Sequence, residues 1–136
     1  MVEHFDIQLP SYSRGFHLIT EVVLRHSGPL PRVGLMNIFI HHTSAGLCIN
    51  ENADPTVLDD FERIFNHLVP ENLPFIRHTI EGSDDMPAHI KASMVGSSVS
   101  IPIKDGRLAL GIWQGIYLCE FRNRGGSRKL TVTISS

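Results

Sequence analysis

The sequence predicts an α+β fold, an antiparallel β-sheet or sandwich with two to three helices packed on one side. Three observations lead there. The C-terminal third is a succession of apolar, alternating segments broken by turn signals. Residues 2–9 alternate in the same way. Between them, residues 55–68 repeat apolar side chains at one-face helical spacing. At 136 residues the chain is long enough for one domain, residues 1–136, with its own core.

In the first strand, Val2, Phe5, Ile7 and Leu9 alternate with Glu3, Asp6 and Gln8, and Pro10–Gly15 turns the chain. A short helix is expected over 19–27, with Thr20 as a cap and Gly28-Pro29 as the stop. Residues 34–42 form a largely buried strand ending in His41-His42. Thr43–Gly46 turns, and a short strand from Leu47 ends at Asn50-Glu51-Asn52. The clearest helix begins with Asp54 as cap and Pro55 in its first position. Val57, Leu58, Phe61, Ile64, Phe65 and Leu68 line one face of it. If all six are buried they contribute on the order of 10 kcal/mol before entropy. Residues 71–83 read as a loop or a short edge segment carrying His78. A further short helix starts at Asp84 or Asp85 with Pro87 in its first turn and ends at Gly96, its apolar stripe Ile90 and Met94, its small residues Ala88, Ala92 and Ser93. Then come four strands in two hairpins, one turning at Lys104-Asp105-Gly106 and one at Asn123–Ser127.

Composition excludes several classes. A formal charge of −2 offers no general affinity for nucleic acid or anionic membrane. No apolar run reaches the ~20 residues of a membrane span. Cys48 and Cys119 lie in apolar runs without metal-ligand spacing, which suggests two reduced core thiols and a cytoplasmic protein. There is no glycine-rich nucleotide loop, serine-nucleophile elbow or CxxC.

The chemistry therefore rests on the eight histidines and their acidic company. His42 ends a strand, His78 sits in a loop, and His89 opens a helix four residues after Asp85, on the same side of its first turn. Imidazoles suit zinc and proton transfer, whereas the carboxylates of Glu51, Asp84, Asp85 and Glu120 suit magnesium. The histidine spacing matches no zinc-finger or metalloprotease pattern, so a divalent metal, magnesium or zinc, could be held only where folding brings these separate elements together. Glu120 lies in an apolar run and needs a partner, either a cation at such a site or Arg122, its same-face neighbour on a strand. Arg122, Arg124, Arg128 and Lys129 form a basic group around Gly125-Gly126 suited to phosphate. Trp113-Gln114 suits a pocket wall, an interface or the core.

His41-His42-Thr43-Ser44-Ala45-Gly46, Ile49–Pro55, His78, Asp84–His89, Gly96-Ser97-Ser98, Gly111–Gln114 and Leu118-Cys119-Glu120 occur in that order. Together they resemble the YjbQ family, also called secondary thiamine-phosphate synthases, over about residues 5–134. The resemblance implies a homotrimer with polar pockets where subunits meet. It implies a low thiamine-phosphate synthase activity that joins a pyrimidine diphosphate to a thiazole phosphate, so the expected partner is a small phosphorylated metabolite. Its polar positions fall here on His42, Thr43, Asn50, Glu51, His78, Asp84, His89, Trp113, Gln114, Glu120 and Arg128. The expected roles are catalysis by His89, His78, Asp84 and Glu51, and metal binding by His42, His78 and His89. Arg128, Asn50, Thr43, Gln114, Trp113 and Glu120 are expected to bind substrate or phosphate.

Overall fold

The computed structural model describes residues 1–136. Eight strands and three helices run in the order β1 (Val2–Ser11), β2 (Gly15–Leu18), α1 (Thr20–Ser27), β3 (Val33–Ile40), β4 (Ala45–Glu51), α2 (Pro55–Leu68), α3 (Asp85–Val95), β5 (Ser98–Lys104), β6 (Arg107–Leu108), β7 (Gln114–Glu120) and β8 (Ser127–Ser135). All strand pairs are antiparallel. They form a five-stranded sheet, β1-β8-β3-β5-β6, and a three-stranded sheet, β2-β7-β4. No helix is long and apolar enough to cross a membrane.

The alternation of β7 explains the layering. Ile116 and Leu118 join Leu47, Ile38, Val132 and Ile7 in a core between the sheets, to which α1 adds Val23. Tyr117 and Cys119 point the other way, into a second core with Phe16, Ala88 and Phe121, on which Leu58, Phe61 and Phe65 of α2 pack. The three-stranded sheet is thus covered on both faces, and α2 and α3 share its outer side. Close approach of α3 to β4 is possible because residue 46 is glycine; a Cβ there would lie 2.7 Å from the Gly96 carbonyl oxygen and overlap Val95. The two cysteines touch, Sγ to Sγ at 3.5 Å, with Cys119 buried and Cys48 half-buried.

The turn at Asp105-Gly106 is a hairpin as expected: Lys104 pairs with Arg107, and both turn residues have positive φ, 52° and 76°. The expected hairpin at Asn123–Ser127 is not one. β7 and β8 do not pair; the chain crosses from one sheet to the other, so turn residues alone misassign it. The short helix begins at Thr20 with Ile19 in the cap position; the Thr20 hydroxyl instead accepts the Ile116 N–H at 2.9 Å.

Both other helices depart from expectation in what they bury. Asp54 caps α2 as expected, accepting the Thr56 N–H at 2.9 Å. None of its residues is fully buried, however, and Ile64 and Leu68 are 57% and 60% exposed. Its apolar stripe is wider than the strip the sheet covers. On α3 the expected stripe of Ile90 and Met94 faces outward, and the buried residues are Asp85, Pro87, Ala88 and Lys91. Polar bonding outweighs hydropathy there, since each buried charge has a partner. The Lys91 ammonium donates to Asn66 Oδ1 at 2.7 Å.

Candidate metal centre

The N-terminus of α3 is built around two adjacent carboxylates with separate tasks. Asp84 occupies the cap position without capping; its Oδ2 accepts from Arg122 Nε at 3.0 Å and from the Asn123 N–H at 2.8 Å. Asp85, 1% exposed, gives Oδ1 to Arg122 Nη1 at 2.6 Å. Its Oδ2 faces two imidazoles: His78 Nε2 at 2.6 Å, from the loop before α3, and His89 Nε2 at 3.0 Å, from the next helical turn. The two rings lie 5.5 Å apart, and one ligand atom from each of the three residues lies within 4.8 Å of the others.

His89 carries a further constraint. Its Nδ1 lies 2.9 Å from the carbonyl oxygen of Thr43, which can only accept, so Nδ1 bears the hydrogen. In a neutral ring, the Nε2 lone pair then points at a carboxylate. A second proton or a cation between Nε2 and Asp85 resolves that contact. The donor set, two imidazoles and one carboxylate, is one that divalent transition ions accept with coordination positions left open.

Burial opposes the charge of Asp85. The hydrogen bond to His78, the charges of His89 and Arg122 and the bond to His89 outweigh it, and hold its pKa below the usual carboxylate range. Burial likewise opposes charge on Asp84, but the Asn123 N–H and Arg122 hold its pKa low. A depressed folded-state pKa adds stability above the unfolded value, and the gain is lost as pH falls through the folded one. Thermal denaturation followed downward from about pH 4 should show a steep loss of melting temperature. Asp84→Asn should make that acid limb shallower; an unchanged limb would show that Asp84 takes no part in it.

Other expected site residues lie elsewhere. His42 does not join the cluster. Its Nε2 accepts the Lys129 N–H at 2.8 Å, and burial followed by the Arg128 charge pushes its pKa down. Arg128 and Glu120 are not open to substrate: 4% and 0% exposed, they bond to each other at 2.6 and 2.7 Å, and Arg128 also donates to the Ser44 hydroxyl. Glu120 therefore pairs with Arg128; from Arg122 it accepts the backbone N–H alone, at 3.2 Å. Thr43 contributes its carbonyl rather than its hydroxyl. Asn50, Glu51, Trp113 and Gln114 gather at the opposite end of the three-stranded sheet. Ala45 pairs with Glu120 and Glu51 with Gln114, so the two ends lie about 20 Å apart along the strand. There Glu51 is half-buried, its carbonyl accepting the Tyr117 hydroxyl at 2.6 Å, and Trp113 is 60% exposed.

The sequence expectation places the functional carboxylate at Asp84, but Asp85 is the one that meets His78 and His89, whereas Asp84 is taken up by Arg122 and the Asn123 N–H. Sequence reasoning missed Arg14, which donates to Glu62, Glu71, Asn66 and Asn123 and ties α2 to the crossover; no local pattern marks it.

Residues 5–136 match the family model described as UPF0047 protein YjbQ-like. The chain belongs to the YjbQ family. The UPF0047 protein YjbQ of Escherichia coli O157:H7 is 48% identical over 130 residues, 94% of either chain. A UPF0047 protein of Synechocystis is 48% identical over 120 residues, 88% of this chain and 80% of its own. Among solved structures, a conserved hypothetical protein of Thermus thermophilus superposes with a TM-score of 0.81 at 35% identity, covering 94% of this chain and 97% of its own. A protein of unknown function from Sulfolobus solfataricus, described as YbjQ-like, gives 0.84 at 25%, covering 98% and 96%. The α+β architecture is that of these YjbQ-like structures.

Proposed function

We propose that His78, Asp85 and His89 hold a divalent cation and that this centre serves a low-level thiamine-phosphate synthase activity. In that reaction the thiazole nitrogen forms a bond to the methylene carbon of hydroxymethylpyrimidine diphosphate. The carbon–oxygen bond to the diphosphate breaks, and pyrophosphate leaves with the electron pair. The family resemblance suggests the reaction. The observation that carries the cation is the His89 ring, which faces acceptors through both nitrogens.

A cation held there would stabilise the charge developing on the departing diphosphate. The protein's part is placement. The Thr43 carbonyl fixes the His89 tautomer and aims Nε2 at the centre, and Asp85 offers one oxygen between two rings. The proposal includes a homotrimer. Assembly would cover the exposed Ile64 and Leu68 of α2 and bring Asn50, Glu51, Trp113 and Gln114 of one subunit toward the histidine cluster of another. Ile64→Asp should accordingly reduce the mass seen by light scattering from trimer to monomer; a wild-type monomer would remove the assembly from the reading.

Wild-type protein supplied with both substrates and magnesium or zinc should form thiamine phosphate, and exhaustive chelation should abolish it. Turnover that survives chelation would exclude the cation. A second reading has support in the commitment of Arg128 to Glu120, which removes the cationic side chain expected to hold phosphate. It is a trimer that binds a metal or metabolite without chemistry, and no product from the metal-loaded protein would favour it.

A further inference from the structure

We infer that Arg122 is a positioning residue that makes Asp85 a one-oxygen ligand; this deepens the cation reading and rests on it. Arg122 follows β7 at the start of the crossover between the sheets. Its donors leave in three directions: Nε to Asp84 Oδ2 at 3.0 Å, Nη1 to Asp85 Oδ1 at 2.6 Å, and Nη2 to the Glu81 carbonyl at 2.9 Å. The next residue, Asn123, adds its N–H to Asp84 Oδ2. One guanidinium therefore fixes the first turn of α3 and the loop that carries His78.

The consequence for the centre is geometric. Asp85 is 1% exposed and its Oδ1 is held by a charge-assisted bond, so the carboxylate cannot turn to offer both oxygens. Only Oδ2 remains, between the two imidazoles. A planar fork is needed for this. A lysine ammonium is a compact point charge and cannot span three acceptors set in different directions. Partners of this kind around metal ligands commonly govern affinity by 10–100-fold.

Cobalt(II) distinguishes positioning from simple stapling, because its visible absorption reports the number and geometry of its ligands. The protein is titrated with cobalt(II) chloride as wild type, Arg122→Lys and Arg122→Met, and the metal-free melting temperature of each is recorded. Arg122→Lys keeps the charge and should melt within a few degrees of wild type. It should bind cobalt about 10–100-fold more weakly with displaced absorption bands, because Oδ1 is free to coordinate. Arg122→Met should bind more weakly still; if losing the guanidinium from both carboxylates prevents its folding, Arg122→Lys decides alone. Wild-type affinity and spectrum in Arg122→Lys would overturn the inference, as would a lowered melting temperature with cobalt binding unchanged. A wild-type protein that takes up no cobalt fails the cation reading itself, and the inference falls with it.

Discussion

Arg128→Met is expected to destabilise the protein by about 3–5 kcal/mol. The substitution leaves the Glu120 carboxylate, 0% exposed, without its two guanidinium bonds at the corner where the chain passes between sheets. The surroundings allow little relief: Gly125 packs so tightly on both side chains that any Cβ there would overlap the Glu120 carboxylate. Removing both charges together is a different matter. Glu120→Leu with Arg128→Met should recover most of the loss, because an apolar pair avoids the desolvation of two ions. Urea denaturation of the two variants measures this. A loss below about 1 kcal/mol in Arg128→Met would show that the pair behaves like an exposed one and that the corner does not depend on it.

His89→Ala is expected to abolish turnover and cation binding while leaving the fold intact. The ring is partly exposed, its Nε2 would be a ligand of the proposed centre, and its Nδ1 is fixed by the Thr43 carbonyl. A centre held by three protein ligands would hold its cation far less well with two. Activity with supplied substrates, together with the melting temperature in the presence and absence of zinc, separates the effects. Zinc should raise the melting temperature of wild type but not of the variant. Wild-type rates in His89→Ala would remove this residue from the mechanism.

How much of this was legible in the sequence depends on the range of the interaction. Features set within a few residues were readable: the Asp54-Pro55 start of α2, the Asp105-Gly106 turn, and Asp85 with His89 one helical turn apart. Alternation marked the strands, because period two follows from backbone geometry alone. It could not say which strands pair, and so the crossover at Asn123–Ser127 read as a hairpin. It also paired Glu120 with Arg122, two residues away on the same face, when the fold brings Arg128 from the other sheet. The same limit applies to α3. Hydropathy put Ile90 and Met94 inward, but Asp85 and Lys91 lie inside because distant residues bond them, Arg122 as an ion pair to Asp85 and Asn66 as a hydrogen-bond acceptor to Lys91. His42 shows the converse: a strand-end histidine looks like a ligand until the neighbouring strand supplies the Lys129 N–H that occupies its nitrogen.

The central claim is that His78, Asp85 and His89 form one cation site per chain. Dialysis of metal-stripped protein against zinc, followed by elemental analysis, tests it most directly when wild type and Asp85→Asn are treated side by side. The account expects close to one zinc per wild-type chain and almost none in Asp85→Asn. Absence of zinc from wild type, or equal zinc in both proteins, would contradict it.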